Sequence, residues 1–331
     1  MGEKVVVRAY RDAVRVDDVP APYDTVHLTV RHPALPARDD VERMSGALGA
    51  DTSGAPYPVV VVVPGVNVAS AGYAWLATAL VEAGHVVVTY DWVGELFPGQ
   101  NGLTPGVDIS VATPQAYGTA PTTPALRPVL DRLAAVNAEG PLAGMLDLGR
   151  VALLGHSAGG TVALQSASAE WFPEVGAVVT YGSHLMASQQ LGFAPGTLVA
   201  SPASVPVLLV SGTDDGVVSA SAIRYGATAG AELHDPVVRT FQESFDSAPE
   251  VWYVQVKGAG HLLPVQPEDP TSARGFLEPP LEADQAPLRE LFVSLVQEFL
   301  ATHFGSDAAH AASLSHHLDN PSPHIADIRR R

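Results

Sequence analysis

Residues 150–167, RVALLGHSAGGTVALQSA, place Ser157 inside a Gly-x-Ser-x-Gly frame between an apolar run and a small-residue segment. A serine hydroxyl is a weak nucleophile until a base takes its proton and an acid orients that base. Both kinds of group follow downstream: TDDG carries Asp214 and Asp215, and GAGH carries His261. In the order Ser, Asp, His, such residues attack the carbonyl carbon of an ester or related acyl group. In a chain with 30 glycines the five-residue frame alone is a weak signal. Its weight comes from what surrounds it.

Twelve histidines compete for the role of base. His156 adjoins the serine, but neighbouring side chains on a sharp turn point apart, so it reads as a packing residue. His303, His310, His316, His317 and His324 fall in or beside a polar C-terminal segment, and the His316–His317 pair reads as solvated tail rather than a metal site. His261 follows VWYVQVKGAG, a strand pattern ending in a Gly-Ala-Gly loop that can return the imidazole over a sheet edge. For the acid, VPVLLVSGTDDGVV offers two aspartates at a strand's carboxyl end, whereas the preceding strand end, VVTYGSHLM, offers none. Asp215 is favoured by its place just before a turn. Asp214 is expected to cap that turn or a backbone amide.

These residues need a scaffold of alternating elements. VVVRAY and TVHLTVRHP read as early strands, Arg38 to Pro56 as a loop, and PVVVVVPG as a strand covered on both faces. Tyr73 to Gly84 reads as a helix stopped by glycine, and HVVVTYDW as the next buried strand. Val93 to Thr123 reads as loop, followed by the helix PALRPVLDRLAAVNAEG and the strand RVALLGH. SAGGTVALQSASAE reads as helix, GAVVTYG, VPVLLVSG and EVWYVQVKG as strands, and APLRELFVSLVQEFLATHF as an amphipathic helix. Strands alternating with helices predict an α/β, doubly wound, mostly parallel sheet, which places chemistry outside the carboxyl ends of its strands. Residues 1–304 are expected to form one domain and 305–331 a flexible tail.

Composition narrows the chemistry. The chain has 331 residues, a formal net charge of −17 and two lysines, Lys4 and Lys257. So acidic a surface repels phosphate backbones, and no nucleic-acid partner is expected. Without cysteine there are no disulfides, thiolate metal sites or cysteine nucleophiles. The first twenty residues lack the apolar core of a signal peptide, and the longest apolar run is too short to span a bilayer, so a cytoplasmic protein with no membrane span is expected.

The passages RPVLDRLAAVNAEGPLAGMLDLGRVALLGHSAGG and VVPGVNVASAGYAWLATALVEAGHVVVTYD resemble the α/β-hydrolase superfamily. The likeness is nearest to its chlorophyllase-like, dienelactone-hydrolase-like and bacterial platelet-activating-factor-acetylhydrolase-like esterases, and runs from about Val59 to His303. It implies an α/β-hydrolase fold and a serine esterase with Ser157 as nucleophile, His261 as base and Asp215 as acid. The backbone N–H groups of Val66 and Ala158 would form the oxyanion hole, with neither metal nor cofactor. Lack of a disulfide and of a tryptophan beside the elbow separates the chain from secreted polyester hydrolases.

About twenty residues between the strands VVTYG and VPVLLV leave no room for a large helical cap, so loops should roof the site. Asn67, Trp92, His184, Val217 and Leu262 are the expected pocket liners, with Trp92 and Leu262 equally at home in the core and His184 on the surface. Few positive residues lie near the strand ends, which points to neutral small or medium esters. The same triad would serve lactones, thioesters, polyesters or amides, and a hydrolase fold kept only for binding is the reading from a different class.

Overall fold

The valine run of β3 has no polar position because both of its faces are covered. Val59, Val61 and Val63 pack into one apolar cluster, and Val60 and Val62 into another on the opposite side of the sheet. Each valine so buried contributes roughly 1.5–3 kcal/mol relative to exposure. The structure, a computed structural model, describes residues 5–97, 99–226, 235–272, 274–305 and 308–331.

The chain opens with β1 (Val6–Arg15), β2 (Thr25–Ala34), α1 (Asp40–Ser45) and β3 (Tyr57–Val63). It continues through α2 (Ala74–Glu82), β4 (Val86–Phe97), β5 (Gln100–Leu103) and α3 (Leu126–Ala138). The central unit is β6 (Leu146–His156), α4 (Ala158–Ser166) and β7 (Val175–Tyr181), followed by β8 (Val207–Gly212), α5 (Gly216–Ser221) and α6 (Pro236–Glu243). Last come β9 (Val251–Val256), α7 (Gln285–Phe304), α8 (Ala308–Asp319) and β10 (Ile325–Arg330).

Nine strands form the path β1-β2-β4-β3-β6-β7-β8-β9-β10, with β5 hairpinned onto β4. From β4 to β9 all neighbours are parallel, while β1, β2 and β10 pair antiparallel at the edges. Residues of α3, α4 and α6 close one face, and α2 and α7 the other. The protein is therefore α/β, with a mostly parallel mixed sheet flanked by helices on both sides, compatible with a doubly wound arrangement. Among the described residues no helix is long and apolar enough to cross a membrane.

Three segments differ from expectation. Arg38 to Pro56 contains α1, started by Asp39, whose side chain accepts from the Glu42 N–H, and stopped by Gly46 at φ 67°. The loop after Trp92 carries the end of β4 and β5. The segment beyond 304, expected to be a flexible tail, instead contains α8 and supplies β10 as the edge strand beside β9. Ile325 and Ile328 pack against the core on this edge, and the Arg331 side chain donates to the carbonyls of Phe241, Gln242 and Phe245. Removal of residues 306–331 should uncover β9 and lower the thermal midpoint by about 5 °C or more, with aggregation on heating. An unchanged midpoint in differential scanning calorimetry would refute a structural role for this segment.

Candidate active site

The expected residues sit at the carboxyl ends of four parallel strands, two on each side of β7. Val66 follows β3, Ser157 follows β6, Asp215 follows β8 and His261 follows β9. Ser157 holds φ 56° and ψ −128°, a conformation that side chains rarely adopt, at the sharp turn into α4. Its N–H donates to the Tyr181 carbonyl at 2.9 Å, and its carbonyl accepts from the Ser183 hydroxyl at 2.8 Å. The glycines around it answer to space. A Cβ at Gly155 would overlap the backbone of Gly160, and one at Gly159 the carbonyls of Val63 and Pro64.

His261 Nδ1 lies 2.8 Å from Asp215 Oδ2, with only 3% and 5% of these residues exposed. The carboxylate can only accept, so Nδ1 carries the proton and Nε2 keeps a free lone pair. Asp215 Oδ1 accepts from the Val218 N–H at 2.8 Å, so this one side chain orients the imidazole and caps α5. The capping role expected of Asp214 thus falls to Asp215. The Asp214 carboxylate accepts from its neighbour, the Thr213 hydroxyl. Gly182, at φ 60° after β7, lies under the pair: a Cβ there would stand 2.8 Å from Asp215 Oδ2 and 2.9 Å from His261 Nδ1.

Ser157 and His261 line the same cleft, of about 280 Å³. Among the described residues the Ser157 hydroxyl makes no hydrogen bond to His261. Val66 and Ala158 border this cleft and also a second one of about 1000 Å³. Gly65 N–H donates to Tyr73 Oη and Asn67 N–H to the Leu103 carbonyl, while the amides of Val66 and Ala158 have no acceptor among the described residues. Two free donors beside Ser157 can receive negative charge on an oxygen bound there.

The remaining predicted liners separate. His184 and Val217 face the first cleft, Trp92 the second, and Leu262 a small cavity behind Ser157 and His261. Asn67 lines none of them. At φ 58° it turns toward the β4–β5 hairpin, where its Oδ1 lies against Gly102. Trp92 serves the core as well, its indole N–H donating to the Tyr23 carbonyl at 2.7 Å. Val107, Ala112 and Tyr117 from the long loop, together with Arg274 from the Pro-rich segment, roof the first cleft. The expected scarcity of positive groups fails here, because Arg224 and Arg274 both line it.

Four supporting residues were not foreseen. His156 Nε2–H donates to the His261 carbonyl at 2.9 Å, and its Nδ1 accepts from the Tyr73 hydroxyl at 2.9 Å. Tyr181 Oη donates to the Gly260 carbonyl at 2.6 Å. Glu278 accepts from the Gly216 N–H at 2.9 Å and from the His261 N–H, tying the acid loop to the base loop. Burial pushes the Glu278 carboxyl up from its ordinary range. Burial also pushes His156 down to about 3 and His184 down to about 4, so both rings are neutral at pH 7. Among the described residues no three His, Asp or Glu side chains converge as a metal site requires. No protein-family model and no curated protein matches this chain.

Gly182→Ala should push His261 from Asp215 and abolish the downfield Nδ1–H resonance in proton NMR. Retention of that resonance would show that the contact tolerates a methyl group. The two buried histidines also set a pH dependence. The unfolded chain takes up protons near the ordinary value of 6.5, whereas folded His184 and His156 do so near 4 and 3. Stability is therefore full above about pH 6.5 and falls as pH drops toward 4 and below. The urea midpoint should decline across that window, and less steeply in His184→Gln. An equal slope in the variant would contradict the assignment.

Proposed function

We propose that this protein is a serine carboxylic-ester hydrolase built on an α/β-hydrolase type of fold, acting through Ser157, His261 and Asp215. The observation that carries the reading is one strained serine sharing a cleft with a carboxylate-oriented imidazole and two backbone amides that have no acceptor among the described residues.

In this reading Ser157 Oγ attacks the ester carbonyl carbon while His261 Nε2 takes its proton. The carbonyl oxygen becomes an oxyanion held by the N–H groups of Val66 and Ala158, each such donor contributing roughly 3 kcal/mol to the transition state. Asp215 stabilises the imidazolium that forms, without taking its proton. Collapse of the intermediate expels the alcohol, which receives the proton from Nε2. Water then attacks the acyl-enzyme with the same imidazole as base, and the acid leaves. The N-terminus of α4 beneath Ser157 adds a modest favourable field for the oxyanion.

The first cleft holds about 280 Å³, which suits one small or medium part of an ester, and the larger second cleft can take the other part. Lactones, thioesters and amides present the same acyl carbon, and the substrate panel that compares them sets the preference.

Ser157→Ala should lower kcat for a p-nitrophenyl ester by about four orders of magnitude or more, with the fold kept. Turnover within tenfold of wild type in that variant would overturn the proposal. A variant-independent check is stoichiometric labelling of the wild-type protein by a fluorophosphonate at Ser157, which an idle triad would not show.

A further inference from the structure

Arg224 lies in the short turn after α5, and Arg274 in the Pro-rich segment after His261. Both line the first cleft with Ser157 and His261. Among the described residues neither guanidinium has a carboxylate or other side-chain partner. This contrasts with arginines elsewhere on the molecule, where Arg127 grips Glu174, Arg132 grips Asp12 and Arg150 grips Asp147. Among the described residues Arg8, Arg11, Arg31 and Arg331 also lack an acid but donate to a backbone carbonyl or a threonine hydroxyl, and Arg289 lines a different cleft.

Arg274 is half-buried and Arg224 exposed, and an anion between them would offset both charges. Among the described residues no Asp or Glu lines the first cleft, and the buried His184 ring that faces it is neutral. Burial, and then the charge of Arg224, hold the Arg274 guanidinium below its ordinary value. Two like charges facing one half-buried space repel, and a planar carboxylate between them would accept from both guanidinium forks. The second cleft has the opposite sign: Asp17, Asp18, Glu95 and Asp108 line it, with no Lys or Arg among the described residues. Because Val66 and Ala158 border both clefts, the charge changes sign across the amides beside Ser157.

We propose that the first cleft is a carboxylate subsite, so that the substrate is an ester bearing a free carboxylate held by Arg224 and Arg274 while its ester carbonyl lies at Ser157. This rests on the hydrolase reading above. The carboxylate is unchanged in the reaction: water adds across the ester bond, releasing an alcohol and a second acid. The acidic second cleft repels the same group and so fixes which way round the ester lies.

Two matched substrate pairs test it. Mono-p-nitrophenyl adipate against p-nitrophenyl hexanoate places the anion on the acyl side, and 4-acetoxybenzoate against phenyl acetate places it on the leaving alcohol. In wild type, kcat/KM for the anionic member should exceed the neutral one by about tenfold or more in one pair. That ratio should shrink with added salt, and should fall toward one in Arg224→Gln/Arg274→Gln. The wild-type ratios need no variant to fold, and Arg224→Gln alone, at an exposed position, should lower the ratio by itself. Ratios at or below one in both pairs, or a ratio that the substitutions leave unchanged, would overturn the subsite while fluorophosphonate labelling of Ser157 keeps the hydrolase reading intact. Absence of both labelling and turnover would overturn the hydrolase reading and the subsite together.

Discussion

Ser157 holds a backbone conformation that costs on the order of 1–3 kcal/mol, and the rest of the site exists to hold it there. The turn survives because it is tied at both ends: Tyr181 accepts its N–H and Ser183 donates to its carbonyl. The apolar residues of β6 and α4 anchor its flanks in the core. Without glycine at 155 and 159, α4 could not close on β6 and β3, and the serine would lose its place at the head of the helix beside the first cleft. Strain of this kind is tolerated only where packing over-determines it, and a mostly parallel sheet covered on both faces provides that packing.

Around the turn, polar contacts to backbone link strand ends that are otherwise independent. The chain from Gly65 through Tyr73 and His156 to the His261 carbonyl joins the loops after β3, β6 and β9. Glu278 joins the loops after β8 and β9, and Tyr181 reaches from β7 to Gly260. Because each link ends on a backbone atom, it fixes the path of a loop rather than one rotamer, and with it the place of the imidazole. A neutral His156 is required for this, since only the neutral ring can donate at Nε2 while accepting at Nδ1.

Much of this was legible in the sequence, and the misses are instructive. The valine run, the glycine frame and the TDDG and GAGH strand ends carried enough periodicity and turn chemistry to place β3, β6, β8 and β9 and their loops. Helix α1 carries a start and stop signal in Asp39, Glu42 three residues on and Gly46 after, but its short span and polar face give no apolar period. The edge strand β10 was hidden by the His-rich composition before it, while its isoleucines, three residues apart across a register shift, did not alternate. Gly182, Glu278, Arg224 and Arg274 could not be found from spacing, because their roles arise from which loops the sheet order brings together.

In the proposed mechanism Ser157 carries the acyl group between the two halves of the reaction. Rapid acid quench during turnover of a p-nitrophenyl ester, followed by intact mass and peptide mapping, reads this directly. A single mass increment equal to the acyl group, on the peptide containing Ser157 and decaying as turnover ends, is the predicted result. Turnover with no covalent increment, or with the increment on another residue, would contradict it.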